Sequence, residues 1–201
     1  MNLSENFTKE VKSNLRIHDI VWFASASAIF LYTFLSYIVL QNSTAQPRID
    51  SANSIIFYII GIVLACIALF LKKLLFDKSK IETQLDKNID IENLATNNET
   101  GEIDEQRLNL FSSFTENEVK LYSLIKWHMT PYIIVLSIID AIAIVGLVLS
   151  FMLIKFSVIL PFAIGALLIN FFLLRHVYSI LEKGIEILSQ KPKDSQISDR
   201  E

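Results

Sequence analysis

The sequence has a single cysteine and lacks the motifs by which many enzymes are recognised. Cys66 stands alone, which excludes an intrachain disulfide and a cysteine-rich metal site. Because it lies in an apolar run, we expect it to pack as a small residue. No nucleophile elbow, phosphate-cradling glycine loop or zincin motif occurs in the 201 residues. The sequence therefore predicts neither an enzyme nor a bound cofactor.

Positive charge is also sparse and scattered. The formal net charge is −3, and lysine and arginine form no clustered face of the kind that nucleic-acid-binding proteins carry. Apolar residues, in contrast, make up 52% of the chain, and its mean hydropathy is +0.45. This apolar material is gathered into a few blocks, as in an integral membrane protein. The expected partner is the lipid bilayer, with no nucleic acid.

Four apolar runs are each long enough to cross the hydrocarbon core of a bilayer. They predict spanning helices at Ile20–Leu40, Ile55–Phe76, Tyr132–Ile154 and Val158–Tyr178. The connection at residues 155–157 is so short that the last two helices must be antiparallel neighbours. The predicted fold class is an all-α membrane protein with four transmembrane helices arranged as two hairpins.

The part of the chain between the hairpins has a different composition. It is rich in Asp, Glu and Asn and has few large apolar residues, so we predict a partly disordered cytoplasmic segment. A helix should begin after Thr115, because Thr115 can act as its N-cap and Glu118, three residues later, can complete a capping box. An apolar stripe then predicts a short amphipathic helix at the membrane surface, separated from the third span near Pro131.

The predicted organisation has five parts, and the distribution of basic residues orients them. They are a cytoplasmic leader (1–19), a first hairpin (20–76), a cytoplasmic acidic loop with the amphipathic helix (77–131), a second hairpin (132–178) and a polar cytoplasmic tail (179–201). The leader, the central segment counted from Lys72 and the tail counted from Arg175 hold sixteen of the eighteen basic residues, and the two other loops hold Arg48 and Lys155. The positive-inside rule then places both termini in the cytoplasm, with the plasma (inner) membrane as the expected location.

Asp140 lies inside the third span, where an ionisable side chain is costly and is often functional. Helix rise places it about 12 Å from the cytoplasmic end of its helix and Asn170 about 18 Å from the outer end of the next. In a hydrocarbon core of about 30 Å these two depths coincide. Ser25 and Ser27 on the first helix reach a similar layer, so these four residues form a candidate intramembrane polar site.

Two functions are open for this site. In the first, a neutral Asp140 hydrogen-bonds to Asn170 and fixes helix packing, which suits a structural, assembly or accessory subunit. Small residues at Ala24–Ala28 favour this interpretation, with either a homo-oligomer or a larger membrane complex as partner. In the alternative, Asp140 takes up and releases a proton or cation in a transport component.

The sequence of Asp140–Leu149, Asp-Ala-Ile-Ala-Ile-Val-Gly-Leu-Val-Leu, resembles the carboxylate-bearing helix of rotary ATPase ring subunits. In that family an acidic residue precedes a similar Ala-Ile-Ala-Ile-x-Gly-Leu-Val run. The resemblance implies that Asp140 is an ion-binding carboxyl group. It covers ten residues, and the glycine-repeat helix of that family has no counterpart in Ile20–Leu40, which contains no glycine.

The three histidines, His18, His128 and His176, fall near the predicted cytoplasmic ends of spans. That placement permits a metal or pH-sensing cluster. Interfacial histidines are more often solvated or act as helix caps, so we predict no metal site.

Overall fold

The computed structural model describes residues 3–41, 43–50, 52–75, 77–96 and 101–190. In this part of the chain the regular structure is helical, with no strand. The helices are α1 (Glu5–Leu40), α2 (Ile55–Leu75), α3 (Lys78–Leu85), α4 (Ile91–Ala95), α5 (Glu105–Ser112), α6 (Glu116–Leu153) and α7 (Ile159–Gln190), with a 3-10 turn at Phe156–Val158 before α7.

Within the described residues, four helices are long and apolar enough to cross a membrane. They are α1, α2, α6 and α7, the last counted together with its preceding 3-10 turn. The prediction of four spans is confirmed to this extent, and the chain has the composition of a multi-pass membrane protein. Three of the helices continue well beyond the predicted apolar runs, because α1 begins at Glu5, α6 at Glu116, and α7 ends at Gln190.

The chain divides into two compact units. Unit 1 comprises residues 1–16, 76–129 and 177–201, and unit 2 comprises residues 17–75 and 130–176. Unit 1 has a core of buried apolar side chains from the start of α1, from α3 to α5, and from the parts of α6 and α7 that it contains. The largest of these side chains include Phe7, Phe111, Ile81, Leu85 and Leu121.

The central segment is therefore more ordered than its composition predicted. Residues 78–95 were expected to be part of a loop that buries little, but residues 78–85 form α3 and residues 91–95 form α4. Ile81, Leu85 and Leu94 are buried in the unit 1 core, where they pack with residues distant in sequence. The few apolar residues of this segment suffice because other helices supply the rest of the core.

Several acidic residues of this segment cap helices. Asp77, Asp90 and Asp104 stand immediately before α3, α4 and α5, and each accepts a hydrogen bond from a backbone N–H in the first turn. A carboxylate in this position satisfies a donor that the helix leaves unpaired and also complements the positive end of the helix dipole. The acidic composition thus stabilises local structure here.

The predicted break between a surface helix and the third span is wrong. Helix α6 runs without interruption from Glu116 to Leu153 and contains Pro131 in its interior. Proline removes one backbone hydrogen bond, but the helix continues around it because the remaining bonds and the packing on either side persist. The residues expected to lie on a membrane surface are instead buried in the unit 1 core, including Leu121, Leu124 and Ile125.

A polar tail was predicted from residue 179 onward, yet α7 extends to Gln190. Ile180, Ile187 and Leu188 are buried in the unit 1 core. At Gly184 a Cβ atom would lie 2.8 Å from Leu121 Cδ2, so glycine permits a close approach of α7 to α6. Residues 191–201 lie outside the described part of the chain.

The predicted capping box at the start of α6 is confirmed. The Thr115 backbone N–H donates to Glu118 Oε2 at 2.8 Å, and the Glu118 N–H donates to Thr115 Oγ1 at 3.4 Å. The other carboxylate oxygen of Glu118 accepts from the Ser4 N–H, which precedes α1. Burial would raise the pKa of Glu118, but the hydrogen bonds from Ser4 and Thr115 outweigh it, so the pKa lies below its ordinary value.

We expect Glu118→Gln to lower the free energy of unfolding of unit 1 by about 1–3 kcal/mol, because an amide nitrogen cannot accept the bonds of the oxygen that it replaces. Because the pKa of Glu118 is lowered in the folded protein, its stabilising contribution is complete above about pH 4.3, the ordinary pKa of a glutamate in an unfolded chain. The contribution is lost as the pH falls through the lower pKa of the folded state. Hydrogen exchange at the Thr115 and Ser4 amides across pH measures both effects.

Glu116→Gln is the matched control, since Glu116 is 63% exposed and, among the residues that the structure describes, its salt bridge is with Lys120 one turn away. Such a surface pair contributes little to stability. If the two variants share one pH dependence, Glu118 does not hold the two helix starts together.

In unit 2 the packing is centred on Phe162 of α7, which lies against two glycines. A Cβ atom on Gly61 of α2 would lie 2.6 Å from Phe162 Cε1, and one on Gly146 of α6 would lie 2.5 Å from Phe162 Cβ. Tyr58 stacks on the same ring, with centroids 5.2 Å apart. Gly61 therefore permits a close approach of α2 to α7. Cys66, in contrast, is exposed on α2 and not packed as expected.

Candidate functional site

Three of the four predicted site residues form one hydrogen-bonded chain in unit 2. Ser25 Oγ donates to Asp140 Oδ1 at 2.7 Å, and Asn170 Nδ2 donates to Ser25 Oγ at 3.1 Å. These hydrogen bonds join α1, α6 and α7 through the hydroxyl group of Ser25. The predicted direct contact of Asp140 with Asn170 is replaced by this bridge through Ser25.

The three side chains differ in burial. Asn170 is fully buried and Ser25 is 7% exposed, while Asp140 is intermediate. The salt bridges among the described residues do not include Asp140. Its Oδ1 atom is held by Ser25, and Asn170 Oδ1 is buried with no hydrogen-bond partner in this part of the chain. The site thus has an acidic group without a paired cation and one unsatisfied acceptor.

A second set of polar contacts joins the same helices. The Trp22 indole N–H donates to the backbone oxygen of Asn170 at 3.0 Å, beside the first chain. Ten residues further along α6, Ser150 Oγ and Ser36 Oγ lie 2.8 Å apart, and both side chains are fully buried. Buried hydroxyls that bond between helices are typical contacts of membrane bundles.

Ser27 lies apart from this site and is exposed on α1. Two residues along an α-helix turn the side chain by about 200°, so Ser25 and Ser27 cannot both face the same neighbour. Helical periodicity shows that only one of the two can belong to the site, but it does not show which one. It would not have identified Trp22, whose place beside Asn170 depends on how α1 packs against α7.

An apolar groove runs between α1 and α7 next to this site, with a volume of about 370 Å³. Its α1 wall is formed by Trp22, Ala26 and Phe30, and its α7 wall extends from Ile164 to Phe171 and includes Asn170. Phe30, Leu168 and Phe171 each expose more than half of their surface, so the groove is open to the surroundings of the helices.

The histidines do not form a metal centre in the part of the chain that is described. His18 lies in unit 2 with its ring 5.0 Å from that of Tyr132, and His128 is buried in unit 1. No group of three or more His, Cys, Asp or Glu side chains among the described residues could hold a metal ion. The side chain of His176 lies outside the described part.

Comparisons with protein-family models, with curated proteins and with solved structures found no match to this chain.

Proposed function

We infer that this chain is a small multi-pass membrane protein that acts through helix packing, as a structural, assembly or accessory subunit, and not as an enzyme. The observation that carries this proposal is the series of hydrogen bonds from Asp140 through Ser25 to Asn170, in which polar groups of three apolar helices bind one another. Polar contacts of this kind fix which helices associate and in what register. The partner is a second copy or a larger membrane complex.

Contacts in unit 2 support an arrangement of two hairpins. Ser25 and Ser36 of α1 pair with Asp140 and Ser150 of α6, so residue numbers rise together along the two helices. Contacts from α2 to α7 behave in the same way, because Tyr58 stacks on Phe162 and Lys72 Nζ donates to the backbone oxygen of Phe172 at 3.3 Å. On this proposal α1 and α6 cross the membrane in one direction, and α2 and α7 in the other.

The charge distribution supports the orientation of these hairpins. Sixteen basic residues lie in the leader, in the central segment counted from Lys72 and in the tail counted from Arg175, against two in the remaining loops. We propose that both termini and the central segment are cytoplasmic and that the membrane is the plasma (inner) membrane.

One experiment tests both orientation and association. Single cysteines at the exposed Ser112 and Ser157, in a Cys66→Ala background, are labelled with a membrane-impermeant maleimide in intact cells, and the protein is then extracted gently and sized. We expect labelling at Ser157 only, and a species larger than the 22.9 kDa monomer with its detergent. Labelling at Ser112 would contradict the orientation, and a strictly monomeric protein would contradict the packing function.

A second function is favoured by two features of the same site. Asp140 has no paired cation among the described residues, and it is not fully buried. A carboxyl group of this kind within a span can take up a proton or a cation. The alternative function is therefore a proton- or cation-coupled transport component that uses Asp140, as the resemblance to ring subunits also implies.

A further inference from the structure

Asp140 presents one carboxylate oxygen at the surface of unit 2. Its Oδ1 atom accepts a hydrogen bond from Ser25 Oγ at 2.7 Å. Its Oδ2 atom has no hydrogen bond among the described residues, and it is not one of their buried polar atoms without a partner, so it retains accessible surface. The side chain is therefore held through one oxygen and open to a ligand at the other.

The direction of the hydrogen bonds defines what that ligand must supply. Ser25 accepts from Asn170 Nδ2 at 3.1 Å and donates to Asp140, so Asp140 is the accepting end of the series. A carboxylate oxygen that is open to an apolar medium is costly unless a cation pairs with it. The group that suits Asp140 Oδ2 is therefore a positively charged donor.

The chain has no such donor within its spans. Lysine, arginine and histidine are absent from residues 20–40, 55–71, 129–154 and 156–174. A second copy of the chain would therefore bring no basic side chain from within a span to the depth of Asp140. The cation has to come from a different protein.

An exposed face of α6 lies next to Asp140. At about 100° per residue this face covers about 60° around the helix axis, and Asp140 lies about 20° from its edge. The face consists of Ile133, Ser137, Ile144 and Val148. Ser137 is small, and its hydroxyl group donates to the backbone oxygen of Ile133 at 2.9 Å, so another helix can approach there without leaving this hydroxyl unpaired. A helix packed on this face, with its axis about 8–10 Å away, brings its side chains within reach of Asp140.

We propose that this face of α6 docks a spanning helix of a different membrane protein, and that a lysine or arginine of that helix pairs with Asp140 Oδ2. The long apolar stem of such a side chain lies along the face, and its charged end reaches the carboxylate. The proposal rests on the packing function proposed above and names the partner. It adds a contact that packing within the chain does not require.

A designed helix tests the charge pair. The probe is a leucine–alanine peptide that spans the bilayer and has one lysine at its centre, and the matched peptide has glutamine there. Asp140 lies about 3 Å from the middle of a hydrocarbon core of about 30 Å, so a central lysine matches its depth in either orientation.

Binding is measured by energy transfer in phosphatidylcholine vesicles, from a dye on Ser157→Cys in a Cys66→Ala background to a dye on the peptide. We expect the full-length protein to bind the lysine peptide about tenfold more tightly than the glutamine peptide, because only the lysine supplies a counter-charge. Equal binding of the two peptides would overturn the charge pair.

Substitutions in the protein locate the docked helix. Asp140→Asn still accepts from Ser25 but has no charge, so it should bind both peptides equally, whereas Asp140→Glu should keep the preference for lysine. Ser137→Trp covers the α6 face and should weaken binding of the lysine peptide about tenfold. Ile164→Trp adds a tryptophan at an exposed position of α7 and should leave binding unchanged. A preference for lysine that survives Asp140→Asn, or wild-type binding by Ser137→Trp, would overturn the site.

The composition of the gently extracted complex separates this proposal from the packing function. We expect the wild type to be extracted with a different protein, and the folded Asp140→Asn variant to be extracted without it. A complex made only of copies of this chain, or one that Asp140→Asn leaves unchanged in size, would overturn the charge pair but not the packing function. A strictly monomeric wild type would instead contradict the packing function itself, on which the proposal rests.

Discussion

Ser25→Ala is expected to destabilise the bundle in unit 2 by about 2 kcal/mol. The hydroxyl group both donates to Asp140 and accepts from Asn170, so its removal leaves two polar groups of neighbouring helices without their partner. Single interhelical hydrogen bonds in membrane proteins contribute about 0.6 kcal/mol on average, but leaving a buried donor or acceptor unpaired costs about 1–3 kcal/mol. Thermal unfolding in detergent, followed by helical circular dichroism, measures the change.

The chain offers a matched control two residues away. Ser27 is exposed and takes no part in the hydrogen-bonded chain, so Ser27→Ala should change stability by less than about 0.5 kcal/mol. Equal effects of the two substitutions would mean that Ser25 has no special role. A large effect of Ser25→Ala alone would show that the bridge holds α1 against α6 and α7.

Asp140→Asn then separates the two functions proposed for the site. The amide keeps an oxygen that can accept from Ser25, but it cannot take up or release a proton. If the site serves packing, this variant should match the wild type in stability and in assembly size. If Asp140 carries protons, the variant should fold normally but lose proton flux into dye-loaded vesicles. Wild-type flux in the folded variant would exclude proton transport through Asp140.

The candidate site could be found from the sequence because of simple helix geometry. An apolar run with one carboxyl group identifies Asp140, and a rise of about 1.5 Å per residue places Asn170 and Ser25 at its depth. Depth alone does not determine which side chains meet. The bridging role of Ser25 depends on the rotation of each helix about its axis, which is determined by packing, for example by the contact of Phe162 with Gly146.

The spans were predictable for the same reason, whereas unit 1 was not. Long apolar runs identify α2 and the middle of α1, α6 and α7 without any knowledge of their neighbours. In unit 1 the apolar residues are sparse, and Ile81 or Leu94 is buried only because several helices contribute to one core. The sequence does carry a local signal for these helices, since Asp77, Asp90 and Asp104 each precede a helix as its N-cap.

Gly146→Ala is expected to disrupt the packing of α6 against α7. The new Cβ atom would lie 2.5 Å from Phe162 Cβ and 2.7 Å from Cγ, and side-chain rotation cannot relieve the contact with Cβ because this atom is bonded directly to the α7 backbone. The helices must therefore separate, and overpacking of this kind costs about 1–3 kcal/mol. Alanine favours helix by up to about 1 kcal/mol over glycine, which offsets only part of that cost.

Two other glycines of the same bundle make this prediction specific. Gly165→Ala on α7 meets nothing within 4 Å, so it should be neutral or should raise the unfolding temperature through helix propensity alone. Gly61→Ala meets the far edge of the Phe162 ring at 2.6 Å, and because a ring edge can move, its effect should be intermediate. Unfolding temperatures in one detergent should therefore rank Gly165→Ala highest and Gly146→Ala lowest. If Gly146→Ala is as stable as Gly165→Ala, α6 and α7 do not pack as closely at Phe162 as the structure places them.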